Sequence, residues 1–137
     1  GILAMKVLDN SIVKIDFKLK EDCLYLTWKS FISGSCLRDV YINTPRILGR
    51  NPTCWLVDKK KIKVISPEDQ HWLYHFWNNY NTSSTIRIAF INSDDFFGRL
   101  SLKNITQMLK GDKDRIQIKL FESREKAMTW LHIKHLN

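Results

Sequence analysis

Cys54-Trp55-Leu56-Val57-Asp58 constrains this chain more than any other segment: four consecutive apolar residues closed by an acid leave no polar face. A strand with no polar face belongs inside a sheet, buried on both sides. Twelve positions after its start comes Ser66-Pro67-Glu68-Asp69, an N-cap serine, a proline at the first helical position and two acids where the helix end is positive. The helix it opens carries Trp72, Leu73, Phe76, Trp77 and Tyr80 on one broad stripe. A buried strand followed by a helix is half of a parallel crossover unit, and the rest of the chain repeats the pattern.

Upstream, Ile12 to Leu19 alternates Val13, Ile15, Phe17 and Leu19 against Lys14, Asp16 and Lys18, the period of a half-buried strand. Lys20-Glu21-Asp22 makes a polar turn, and Leu24, Leu26 and Trp28 alternate with Tyr25, Thr27 and Lys29, so the two strands should form an antiparallel hairpin. After Ser33-Gly34-Ser35, Leu37, Val40, Tyr41, Thr44 and Leu48 recur at helical spacing. Ser33 or Ser35 is placed to cap that helix, and Pro45 should kink or stop it near Asn43.

Downstream, Ser84 to Ile91 reads as a strand, and the loop Asp94-Asp95-Phe96-Phe97-Gly98 leads to a short helix over 101–110 that ends at Gly111. Arg115 to Phe121 alternates again, and Ser123 caps a last helix holding Ala127, Met128, Trp130 and Leu131. Ile62, Val64 and Ile65 either extend the central strand or form a small excursion. The expected order is β-β-α-β-α-β-α-β-α, an α/β fold with a mixed, mostly parallel sheet, an N-terminal antiparallel hairpin and right-handed crossovers.

At 137 residues the chain has the size of one domain, large enough to bury a core without disulfide or metal staples. Gly1 reads as a cloning remnant, and residues 1–4 are left out of the expected domain, 5–137. Three widely spaced cysteines with no CxxC pair suggest neither a disulfide framework nor a zinc knuckle, and they fit a reduced, cytoplasmic protein. No apolar run is long enough to span a bilayer. The net charge of +8 raises nucleic-acid binding, but the excess is spread. Its one knot, Lys59, Lys60, Lys61 and Lys63, reads better as a solvated turn, which disfavours nucleic acid as a partner.

The strand ending Leu24-Tyr25-Leu26-Thr27-Trp28, the block Trp55 to Asp58 with Ile65 to Leu73, and the Phe97-Gly98 loop leading into a helix together resemble the SpoIIAA-like, or STAS-type, family of small bacterial α/β domains. With the Glu125 to Leu131 helix, the resemblance spans nearly the whole length. It implies a non-enzymatic module that works through protein contacts, in some relatives with nucleotide binding. It also implies a phosphorylation switch on a serine at the start of the helix after the central strand, and Ser66 is the nearest position. The Asp-Ser-Ser/Thr-Gly cluster of that switch is absent, since Lys59-Lys60-Lys61 follows Asp58 and Pro67 follows Ser66; an ordinary N-cap role explains Ser66 better than a phosphosite does.

Catalytic chemistry finds little footing. Cys54, Asp58 and His71 could form a nucleophilic set, and His71 and His75 lie one helical turn apart as in half a metal site. No HExxH accompanies them, and a structural or solvent-facing role is favoured. Lys134 with His132 and His135 fits the negative end of the last helix. The five glycines are isolated, which excludes a phosphate-binding glycine loop, and Asp94-Asp95 fits a turn better than a Mg²⁺ site. No cofactor or metal is called for.

The expectation is therefore a partner or ligand surface formed by Asp58, Ser66, Trp72, Phe76, Trp77, Asp94 and Phe97. The expected partner is another protein, a homodimer being compatible. Tyr74 with the other rings of the 72–80 helix is more aromatic area than a narrow stripe needs, so the alternative is a carrier of an apolar, lipid-like molecule.

Overall fold

The computed structural model describes residues 4–80, 82, 84–111 and 114–136. Six strands form one sheet in the order β1-β2-β3-β4-β5-β6: β1 Ala4–Asp9, β2 Val13–Lys18, β3 Cys23–Trp28, β4 Cys54–Asp58, β5 Ile86–Ile91 and β6 Ile116–Phe121. The first three are antiparallel and β3 to β6 are parallel. Helices α1 Gly34–Leu48, α2 Pro67–Asn78 and α3 Phe96–Leu109 join the parallel strands, and α4 Arg124–Leu136 follows β6. Gly1, Ile2 and Leu3 lie outside the described residues, as do the side chains of Lys134 and His135.

The mostly parallel α/β fold read from the sequence is the fold observed, with one strand more. β1 pairs with β2, but its register shifts between Lys6 and Leu8. That irregularity explains why period two did not reveal it: Val7 packs on the core while both Met5 and Leu8 stay exposed.

Neighbouring parallel strands step one place at a time, so crossovers of one hand place α1, α2 and α3 on one face. There Val13, Ile15 and Phe17 of β2, Leu24, Leu26 and Trp28 of β3, Trp55 and Val57 of β4, and Ile86, Ile88 and Phe90 of β5 meet Leu37, Tyr41, Leu73, Trp77, Leu102 and Ile105. The other face is covered by α4, where Ala127 and Leu131 pack on Cys23, Tyr25, Cys54, Leu56, Ala89 and Ile91. β2 lies outside that cover and keeps half-exposed Lys14, Asp16 and Lys18, so it alternates while β4 does not.

Two helix boundaries differ from expectation. α1 runs through Pro45 to Leu48 and ends on Gly49 in the left-handed region, φ 71°. The proline is buried, and its ring adds to the packed face while the helix loses one N–H. α3 begins at Phe96, five residues earlier than read, because Asp95 is its N-cap and accepts from the Gly98 N–H at 3.0 Å.

Candidate functional site

Parallel strands all point their carboxyl ends the same way, and the following helix N-termini gather there. In this chain that end is formed by the β3–α1, β4–α2 and β5–α3 connections. Residues 59–65 run over it and are tied down: the Lys59 N–H donates to the Ile91 carbonyl, Asp94 N–H to the Lys60 carbonyl, and Ile65 N–H to Ser101 Oγ. Ser93 Oγ donates to the Ile62 carbonyl. Gly98 is obligatory at this crossing, since a Cβ would stand 2.7 Å from the Ile62 carbonyl oxygen and 2.8 Å from that of Lys63. The starts of α2 and α3 therefore form one firm surface, and residues 62–65 are the small excursion rather than more strand.

Ser66 is exposed at the head of α2, and its Oγ accepts from the Asp69 N–H at 3.1 Å, the N-cap read from sequence. Asp69 does not stay within its own helix. Its buried carboxylate accepts from the Gly34 N–H at 3.1 Å and from Arg38 at 3.3 Å, so α2 supplies the cap that neither Ser33 nor Ser35 gives α1.

Lys59 corrects the reading of the lysine knot. Lys60, Lys61 and Lys63 are exposed, but Lys59 has no exposed surface, and its Nζ has no hydrogen-bond partner among the described residues. The ammonium lies 5.5 Å from the Trp28 ring centroid and 5.9 Å from that of Tyr41. Burial pushes its pKa down to about 7, opposed by the charge of Asp69. The signal was present: the core register Trp55, Val57, carried on by two, falls on Lys59. Asp69, the acid whose charge reaches Lys59, escaped together with its partner Arg38 because helix-start acids are normally spent within their own helix.

The aromatic excess is spent largely on packing. Tyr41 stacks on Trp55 at 5.9 Å and meets Phe76 at 5.6 Å edge-on, while Trp55 and Trp77 form a T-shaped pair at 4.9 Å. Trp77 is fully buried, which corrects its place in the expected partner surface: it is core. Trp72 and Phe76 stack at 5.4 Å, half-exposed, along an open groove of about 670 Å³ between α1 and α2. An open trough walled by mutually packed rings gives the apolar-carrier alternative no enclosed chamber of its own.

The remaining candidates separate. Asp58 lies on the α4 side of the sheet, 3.4 Å from Arg124, and accepts from the Lys60 N–H at 3.0 Å, while Trp72 packs on the helix-covered face opposite. Asp94 and Phe97 are exposed at the start of α3. Cys54 is sealed under α4 while His71 is exposed on α2 across the sheet, so Cys54, Asp58 and His71 make no nucleophilic set. His71, His75 and His132 are solvent-facing, and among the described residues no group of three ligating side chains could hold a metal ion.

A sequential six-stranded sheet with three helices on one face, one on the other, and helix N-termini gathered at one end defines the SpoIIAA-like, STAS-type fold. In the solved structures it is similar to the crystal structure of an anti-sigma factor antagonist from Mycobacterium paratuberculosis. The TM-score is 0.52 at 8% identity, over 96% of this chain and 95% of that one. No protein-family model matches the chain, and no curated protein matches it in sequence.

Proposed function

We propose that this chain is a cytoplasmic, non-enzymatic, single-domain regulatory module, with Ala4 already part of its sheet, that binds another protein through the head and outer flank of α2. The observation that carries the reading is Ser66. It stands exposed at the start of the helix after the central strand, in the fold of an anti-sigma factor antagonist, and further along the same helix half-exposed Trp72 and Phe76 line an open groove. Such a groove offers aromatic area at low conformational cost to a partner. A phosphoryl group on Ser66 would add about two negative charges at a helix N-terminus that already holds Glu68 and Asp69, enough to change partner affinity at that spot.

The test is purification of the tagged chain from its own host alongside Ser66→Ala, Ser66→Glu and Trp72→Ala. A partner retained by Ser66→Ala and lost by Ser66→Glu and Trp72→Ala supports the reading. A partner held equally by all four, or none with any, rejects it.

A further inference from the structure

The large apolar side chains left exposed are not scattered. Phe31 is 56% exposed, Val64 48%, Phe96 70% and Phe97 60%, and they sit respectively on the β3–α1 connection, the β4–α2 connection and the start of α3. These all lie at the carboxyl end of the parallel strands. Val13 pairs with Trp28, so the β1–β2 turn reaches the same end and adds exposed Leu8 and Ile12. Of the exposed large apolar residues among those described, Met5, Leu19 and Ile47 belong elsewhere, and Leu100 lies one turn further along α3.

The charge at this end is also lopsided. Lys60, Lys61 and Lys63 are exposed in the connection that carries Val64. The acids beside them are mostly engaged: Asp69 with Arg38, Asp58 with Arg124, Glu122 with Arg99, Asp9 with Lys29, and Asp95 as the α3 cap. Asp94 and the highly exposed Glu68, 3.5 Å from Arg38, remain at the surface. Phe96 and Phe97 pack edge to face at 5.2 Å, both largely exposed. Exposed rings flanked by lysines suit a lipid headgroup layer, where apolar tips enter the boundary and ammonium groups meet phosphate.

We propose that this end of the molecule is a docking face for an anionic phospholipid bilayer, with Phe96 and Phe97 entering the interface and Lys60, Lys61 and Lys63 contacting the headgroups. It rests on residues other than the groove of the α2 reading, which opens between α1 and α2 further along, but Ser66 stands at this same end, so a partner seated on Ser66 would compete with the bilayer.

Co-sedimentation with vesicles tests it. The whole chain should pellet with phosphatidylcholine vesicles containing phosphatidylserine and not with phosphatidylcholine alone. At roughly fivefold per lysine, Lys60→Gln, Lys61→Gln and Lys63→Gln together should weaken binding on the order of a hundredfold. Phe96→Ser with Phe97→Ser should weaken it at least tenfold, while Ile47→Ser, an equally exposed change away from this face, should leave it unchanged. Matching circular dichroism spectra and melts guard against misfolding. Equal binding to both vesicle types, no binding to the anionic ones, or full binding by the Phe96/Phe97 variant overturns the proposal. So does loss of a soluble partner or of self-association in that variant when vesicle binding is absent.

Discussion

Lys59→Met is the sharpest perturbation the structure offers. The wild-type Lys59 Nζ is buried with no hydrogen-bond partner among the described residues, and burial lowers its pKa from 10.5 to about 7. At about 1.4 kcal/mol per pH unit, this gap corresponds to a penalty on the order of 5 kcal/mol carried by the folded state wherever both states are protonated. The unfolded chain binds the proton more tightly between the two values, so stability must rise with pH through that window. Between pH 6 and pH 8.5 the two-state expression gives wild type a gain of about 2 kcal/mol from this one group. Methionine fills a similar volume and does not titrate. Lys59→Met should therefore be the more stable protein at pH 6, by several kcal/mol on the same scale, with the difference shrinking by about 2 kcal/mol by pH 8.5. Cys23, Tyr25, Tyr41 and Tyr80, whose pKa values burial raises, lose stabilising effect at higher pH in both proteins and cancel in the difference. Urea denaturation of both proteins across that range measures it. A difference independent of pH, or one that widens, would refute the argument.

Gly98→Ala should destabilise by about 1–3 kcal/mol or more, because its methyl would meet Ser93 Oγ and the Ile62 and Lys63 carbonyls; the midpoint of urea unfolding reads this directly. Asp69→Ala removes the α1 cap, the Arg38 partner and the counter-charge of Lys59 together, and should cost more than the ~1 kcal/mol of a single lost cap, with amide exchange accelerated at the start of α1. Ser66→Ala should lower stability by only about 1 kcal/mol, so a larger effect on partner binding would belong to the surface rather than to folding. A thiol reagent should label Cys36 rapidly in the native protein and reach Cys23 and Cys54 only after unfolding.

The parallel architecture was legible because it rests on local patterns. The unbroken Cys54–Val57 run marked an interior strand, and Ser66-Pro67-Glu68-Asp69 marked the helix start that the structure shows. What escaped depended on contacts between distant segments. β1 is held by pairing through an irregular register, α1 survives Pro45 because the ring is buried, and α3 starts early because Asp95 turns back to cap it. The site followed the same division. Ser66 was found from its own neighbours, whereas the union of Lys59, Asp69, Gly34 and Arg38 requires β4, α1 and α2 to be brought together first. Trp77 was misassigned for a related reason: a helix stripe does not show which of its rings the sheet will cover.

The most direct test of the account is hydrogen–deuterium exchange of the chain alone and with a protein partner isolated from its own host, mapped peptide by peptide. The account predicts that partner binding slows exchange across residues 66–77 and along the facing flank of α1, and that Ser66→Glu abolishes the change. Protection confined to α4 or to the β1–β2 edge, or protection unaffected by Ser66→Glu, would contradict it.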